Sequence, residues 1–182
     1  MTGNELTDLV TDLLPKMIER VRVAAAGLTP DQLNQPTASG DWSIAQILDH
    51  MMLAHGSYLE ILPPAIAAVG PGGEAPVRLT GIGKFLVKAS GPGGNAPAPK
   101  PFVPKRAPYD PAVLEEWVAQ TNQLRDLFLS ARGKDVNRKS LRNPIFKIFG
   151  MNIADVMSIA EAHFERHVGQ IEERAATVRA TG

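Results

Sequence analysis

The sequence predicts an all-α fold, a four-helix bundle with a long proline- and glycine-rich connection between its second and third long helices. Four long segments carry apolar residues at helical spacing, and almost nowhere does the chain show the apolar-polar alternation of a half-buried strand. Between roughly Val69 and Pro108 the texture changes to Gly70-Pro-Gly-Gly73, Gly91-Pro-Gly-Gly94 and prolines at 97, 99, 101, 104 and 108. The 182 residues suffice for one domain, residues 1–182, with a full hydrophobic core.

Leu6 to Ala26 reads as the first helix, its apolar positions being Leu6, Leu9, Val10, Leu13, Leu14, Met17, Ile18, Val21 and Val23. Pro15 falls inside it. Proline removes one backbone donor and crowds the preceding turn, so a kink there or a restart after Thr11 is expected. Thr29-Pro30-Asp31 reads as a cap with proline at the first helical position, opening a short turn that ends before Pro36. The run Ser39-Gly-Asp-Trp-Ser43 marks the next start, with Ser43 as N-cap and Gln46 completing a capping box. That second long helix runs from Ile44 to about Leu62, where Pro63-Pro64 disfavours continuation.

The long connection has room for one short helix, Ile82 to Ala89. Its length suits a lid, an oligomer contact or a partly disordered segment. Gly81-Ile-Gly-Lys84 is not a phosphate loop, because the Gly-x-x-x-x-Gly-Lys-Ser/Thr spacing is missing and no strand precedes it. Asp110-Pro111 opens the third long helix as N-cap and first residue, with Val113, Trp117, Leu124 and Phe128 as its stripe up to about Arg132 and Gly133 as its stop. The fourth begins after Gly150, with Asn152 as cap and Asp155 at its third position, and continues to about Thr177.

Composition excludes several functions. Formal net charge is zero, a poor footprint for a nucleic-acid binder, whose affinity comes largely from neutralising phosphates. Lys134, Arg138, Lys139, Arg142 and Lys147 form one local basic run, read as a solvated loop. No stretch approaches the roughly 18 apolar residues of a membrane span, and Met-Thr-Gly-Asn-Glu lacks the regions of a signal peptide. With no cysteine there are no disulfides, thiolate ligands or cysteine nucleophile, and the expectation is a cytoplasmic protein.

Chemistry concentrates in the histidines, of which there are four. His163 and His167 lie one helical turn apart, and side chains at i and i+4 project from nearly the same face, so both reach one ion. The apolar stripe Val156, Ile159, Ala160 runs into this pair and resumes at Ile171, which puts the imidazoles on the inward face. Gln170 shares that face and suits a supporting hydrogen bond. Phe164 stands where a metalloprotease helix needs Glu, and Glu165 points roughly 200° around the helix, away from the pair. A third histidine completes the set, either His50, toward the edge of its helix's stripe, or His55, at the stripe's centre. Three neutral imidazoles with one open position make a catalytic rather than a sealed site.

Trp42-Ser43, His50 eight residues after the tryptophan, and a His-x-x-x-His pair followed by Gln170 on the last long helix together resemble the DinB-like superfamily, which includes bacillithiol- and mycothiol-dependent S-transferases. The resemblance covers most of the chain. It implies a four-helix bundle and a divalent metal, nickel or zinc, held by His50, His163 and His167 with water completing the shell. For some members it implies transfer chemistry on a metal-activated low-molecular-weight thiol.

The leading expectation is therefore a metal-dependent thiol S-transferase acting on a small-molecule substrate, with its catalytic residues beyond the metal site open. Arg166 or the basic run would meet an anionic thiol or acceptor, though a surface ion pair is the expected place of Arg166. The alternatives are a metal-dependent hydrolase, with Asp49 or Glu60 accepting a proton, and a non-catalytic metal-binding bundle that engages a partner. A homodimer is expected in any of the three, with Trp117 or Phe85 as anchors.

Overall fold

The structure, a computed structural model, describes residues 1–37, 41–105 and 107–181. In chain order the helices are α1 (Gly3–Ala25), α2 (Pro30–Asn34), α3 (Ile44–Ala67), α4 (Gly81–Ser90), a 3-10 turn at Lys100–Phe102, α5 (Val113–Ser130) and α6 (Ile153–Thr181). Ser39 and Gly40, the first residues of the run expected to open α3, lie outside the described residues. The fold is predominantly helical, as the apolar spacing predicts.

The caps follow local chemistry. Thr2 with Glu5, Thr29 with Gln32, and Ser43 with Gln46 form reciprocal capping boxes at the starts of α1, α2 and α3. Each satisfies two backbone donors that a helix start leaves without partners. At α6, Asn152 Oδ1 accepts the Asp155 amide at 2.8 Å and Asp155 Oδ2 accepts the Asn152 amide at 3.1 Å.

Three boundaries depart from expectation, two for a tertiary reason and one for a local one. α1 continues through Pro15 without the restart expected after Thr11. Proline deletes the amide that Thr11's carbonyl would accept, and Arg125 Nε on α5 donates to that carbonyl instead, at 2.9 Å. α3 runs past Pro63 and Pro64 to Ala67, with Leu62, Ala65 and Ile66 of that stretch buried in the core. α5 starts later than expected: Asp110 Oδ1 accepts the Ala112 amide and the Asp110 carbonyl accepts that of Val113, so Pro111 sits in a turn before the helix. The turn after α5 is as expected, Gly133 taking the left-handed conformation with φ of 82°.

A small sheet was not legible in the sequence. β1 (Lys139–Arg142) pairs antiparallel with β2 (Gly150–Asn152), Leu141 opposite Met151, in the region expected to be a solvated loop. Elements this short offer too few positions for alternation to register, and here burial of Leu141 and Met151 decides.

The four long helices pack in a closed cycle: α1 on α6, α6 on α3, α3 on α5, and α5 on α1. Leu14, Leu48, Trp117, Phe128 and Phe164 are fully buried between them. Each contributes about 1.5–3 kcal/mol relative to an exposed side chain. Trp117 is thus a core residue, not a dimer anchor, whereas Phe85 is exposed. Leu9 and Val23, read as part of the α1 stripe, are exposed as well.

In the connection between α3 and α5, α4 packs along α6. Asp155 ties the two together, its carboxylate accepting the Thr80 amide at 2.8 Å and the Thr80 hydroxyl at 2.7 Å. Thr80 in turn caps α4. A Cβ on Gly83 would collide with the Asp155 carboxylate, which is why Gly81-Ile-Gly-Lys84 carries glycine there. The segment that follows α4 packs against α3, where the Phe102 carbonyl meets His50.

Candidate metal centre

α3 and α6 face one another, and the inward stripes of both carry histidine. His50 and His55 on α3, and His163 and His167 on α6, are all buried. The ring nitrogens of His50, His163 and His167 gather so that one ligand atom from each lies within 4.8 Å of the others, a group that could hold a metal ion. His55 does not enter that group. Its Nε2 lies 3.0 Å from His163 Nδ1, on the far side of the ring, and its ring stacks on Phe164 at 4.5 Å between centroids.

Hydrogen bonds decide which nitrogens are free. The Phe102 carbonyl can only accept, so His50 Nδ1, 2.8 Å away, carries the proton and donates. His167 Nδ1 likewise donates to Gln170 Oε1 at 2.7 Å. In their neutral forms both rings therefore present an Nε2 lone pair inward. His163 has two options, because both of its neighbours are imidazoles. It donates either from Nε2 to His50 Nε2, 3.1 Å away, or from Nδ1 to His55 Nε2. In the second arrangement the Nε2 lone pairs of His50 and His163 meet at 3.1 Å, with a ring nitrogen of His167 within 4.8 Å of the ligand atoms of both. Such a set is repulsive alone and suited to a shared cation.

Electrostatics keeps the rings neutral. Burial is the first cause of a lowered pKa for all four, bringing His55 and His167 to about 3 and holding His50 and His163 below the usual imidazole value. The neighbouring imidazoles and the Arg166 guanidinium add to the shift at His163 and His167, and Arg166 also at His50. Neutral imidazole is the form that binds a metal.

The cluster forms the floor of a cavity of about 610 Å³. That volume is in the range of small-molecule sites. α3 contributes Ala54 and Tyr58, α4 contributes Phe85 and Leu86, and the segment after α4 adds prolines and Phe102. Trp42 packs on His50 at 4.9 Å between centroids. Asn143 to Phe146, between β1 and β2, complete the wall.

The sequence profile of the DinB superfamily matches residues 13–171. The chain belongs to the DinB superfamily. No curated protein and no solved structure matches it. For this DinB-superfamily chain the match spans α3 and α6 through His167, so the whole histidine cluster lies within the family region.

Several expectations change on contact with the geometry. Arg166 forms no surface ion pair among the described residues; it lines the cavity and donates to the Ala89 carbonyl at 3.3 Å. Glu165 does point away, pairing with Arg20 at 3.2 Å. Asp49 accepts the Tyr109 hydroxyl at 2.9 Å, and neither Asp49 nor Glu60 is among the described residues lining the cavity. None of the five cations in the basic run lines it either. Sequence reasoning missed Tyr58, Arg174 and the Phe102 carbonyl. Tyr58 sits three residues after His55 and could have been found by helical spacing, whereas a backbone acceptor leaves no mark on residue type.

Among the described residues no helix is long and apolar enough to cross a membrane.

Proposed function

We propose that this DinB-superfamily protein is a divalent-metal-dependent enzyme that transfers a low-molecular-weight thiol to or from a small-molecule substrate. His50, His163 and His167 would hold the metal, zinc or nickel, in a single-domain four-helix bundle. The observation that carries the reading is the convergence of three buried, neutral imidazoles at the floor of a substrate-sized cavity, with Nδ1 of His50 and of His167 already committed to acceptors. The donor set suits a borderline ion that accepts three nitrogens and keeps a position open.

When bound, the ion supplies Lewis acidity that lowers the pKa of a thiol or water. The chain's own residues do the remainder. The Phe102 carbonyl and Gln170 hold His50 and His167 in the tautomer that offers Nε2, and His55 accepts the Nδ1 proton of His163 when the third Nε2 is required. Because the chain has no cysteine, the thiol comes from solution.

Hydrolysis has weaker support, since Asp49 is engaged by Tyr109 and Glu60 lies off the cavity. Metal analysis of the purified wild type beside the double variant His163→Ala, His167→Ala tests the ion: equal metal in both overturns the site. Turnover assays with and without added small thiols test the reaction. Product release that is indifferent to thiol would favour hydrolysis, and no turnover of any acceptor by the metal-loaded protein would leave a binding bundle.

A further inference from the structure

The cavity wall carries three formally charged side chains among the described residues, Asp41, Arg166 and Arg174. Two of them cancel. Arg174 NH2 lies 3.3 Å from Asp41 Oδ2, and its NH1 lies 3.5 Å from Glu173, with the Arg174 side chain largely buried. Arg166 differs. Its described contact is the single bond to the Ala89 carbonyl, a neutral acceptor that occupies one of five N–H groups. One positive charge is therefore left without a described ion-pair partner in a mostly apolar wall, next to the histidines of α6.

The one carboxylate of the described lining, Asp41, is engaged by Arg174, so the half-buried Arg166 guanidinium carries a solvation cost that no described ion pair offsets. A ligand anion would offset it. The guanidinium fork matches a carboxylate in two-point geometry. Desolvation selects among anions: seating a phosphate dianion against Phe85, Phe102 and Phe146 costs more solvation than seating a monocarboxylate there. Those rings make the complementary demand for an apolar body.

We propose that Arg166 is the anion-recognition residue of this cavity, and that the ligand class is a monocarboxylate carrying an apolar, aryl-sized body. The carboxylate takes the free edge of the Arg166 guanidinium, and the body lies against Phe85, Phe102 and Phe146. The assignment deepens the reading of the cavity as a substrate site and does not depend on thiol chemistry. The basic run at Lys134 to Lys147 takes no part.

The test compares 4-phenylbutanoate with 4-phenylbutanamide, probes of one shape that differ in charge, by calorimetric titration of the full chain, zinc-loaded and chelator-treated. Wild type is expected to bind the acid about tenfold or more tightly than the amide in both preparations, the range for a charge-assisted pair. Arg166→Gln is expected to erase the preference while still taking up zinc, and Arg166→Lys to keep part of it. Equal binding of the two probes by wild type, binding of neither, or an unchanged preference in Arg166→Gln overturns the proposal. Should Arg166→Gln fail to fold, wild type still decides. The acid, and not the amide, should protect Arg166 from an arginine-selective dicarbonyl reagent mapped by peptide mass, and equal protection overturns it. Because no thiol or turnover enters this experiment, its failure beside intact thiol-dependent activity removes the anion site alone.

Discussion

His55 Nε2 stands 3.0 Å behind His163 Nδ1, so the fourth histidine of the chain supports a member of the cluster rather than joining it. The contact lets His163 turn its Nε2 lone pair inward, since His55 can accept the Nδ1 proton. It also buries a second imidazole between Phe164 and the cavity.

Replacing His55 should therefore weaken metal binding without abolishing it. His55→Phe keeps the stack on Phe164 and removes the acceptor, and the expected loss in zinc affinity is about 10–100-fold, the usual effect of deleting a partner of a metal ligand. His163→Ala should lose far more. Competition titration against a chromophoric chelator measures both, and a His55→Phe affinity equal to wild type would reduce His55 to packing.

Metal should stabilise the fold, because the three histidines come together only in the folded chain. At a free zinc concentration of about 100 times Kd the gain is about 2.7 kcal/mol. At about 2–4 °C per kcal/mol for a chain of this size, Tm rises by roughly 5–10 °C. Thermal melts with and without zinc check this, and the His163→Ala, His167→Ala double variant should show no shift.

Acid should unfold the metal-stripped protein early. His55 and His167 have folded pKa values lowered to about 3, chiefly by burial, against about 6.5 in an unfolded chain. Between those values the unfolded state binds protons that the folded state refuses. Stability is thus complete above about pH 7 and falls as pH drops from about 6.5 toward 3, by up to about 1.4 kcal/mol per pH unit for each such histidine. Urea midpoints across this range should show the slope, and His55→Phe should make it shallower.

Arg125 and Pro15 should be energetically coupled. Arg125→Ala leaves the Thr11 carbonyl without a donor and should cost about 1–3 kcal/mol. In a Pro15→Ala background the restored amide serves that carbonyl, and the same substitution should cost less. A double-mutant cycle by urea denaturation measures the difference.

The Asp155 anchor should hold the cavity wall. Asp155→Ala strips acceptors from the Thr80 amide and hydroxyl and from the Asn152 amide, with an expected cost of about 3 kcal/mol or more. Amide exchange should quicken across residues 81–90 before the rest of the molecule, since α4 is docked on α6 through these bonds.

What the sequence determined by itself was local: helical spacing, the capping boxes at Ser43 and Asn152, the stop at Gly133, and the one-turn spacing that puts His163, His167 and Gln170 on one face. These depend on contacts within a few residues, and residue type encodes them directly. Tertiary structure decided between two readings of α3, since its wheel favours His55, the Trp42-to-His50 spacing favours His50, and the placement of α6 against the helix edge brings in His50. It also decided that Arg125 rescues the helix at Pro15, that Phe102 offers its carbonyl, and that Arg166 faces the cavity. In each of these the partner comes from a distant part of the chain, so the side chain's role is set by helix packing and has no counterpart in sequence spacing.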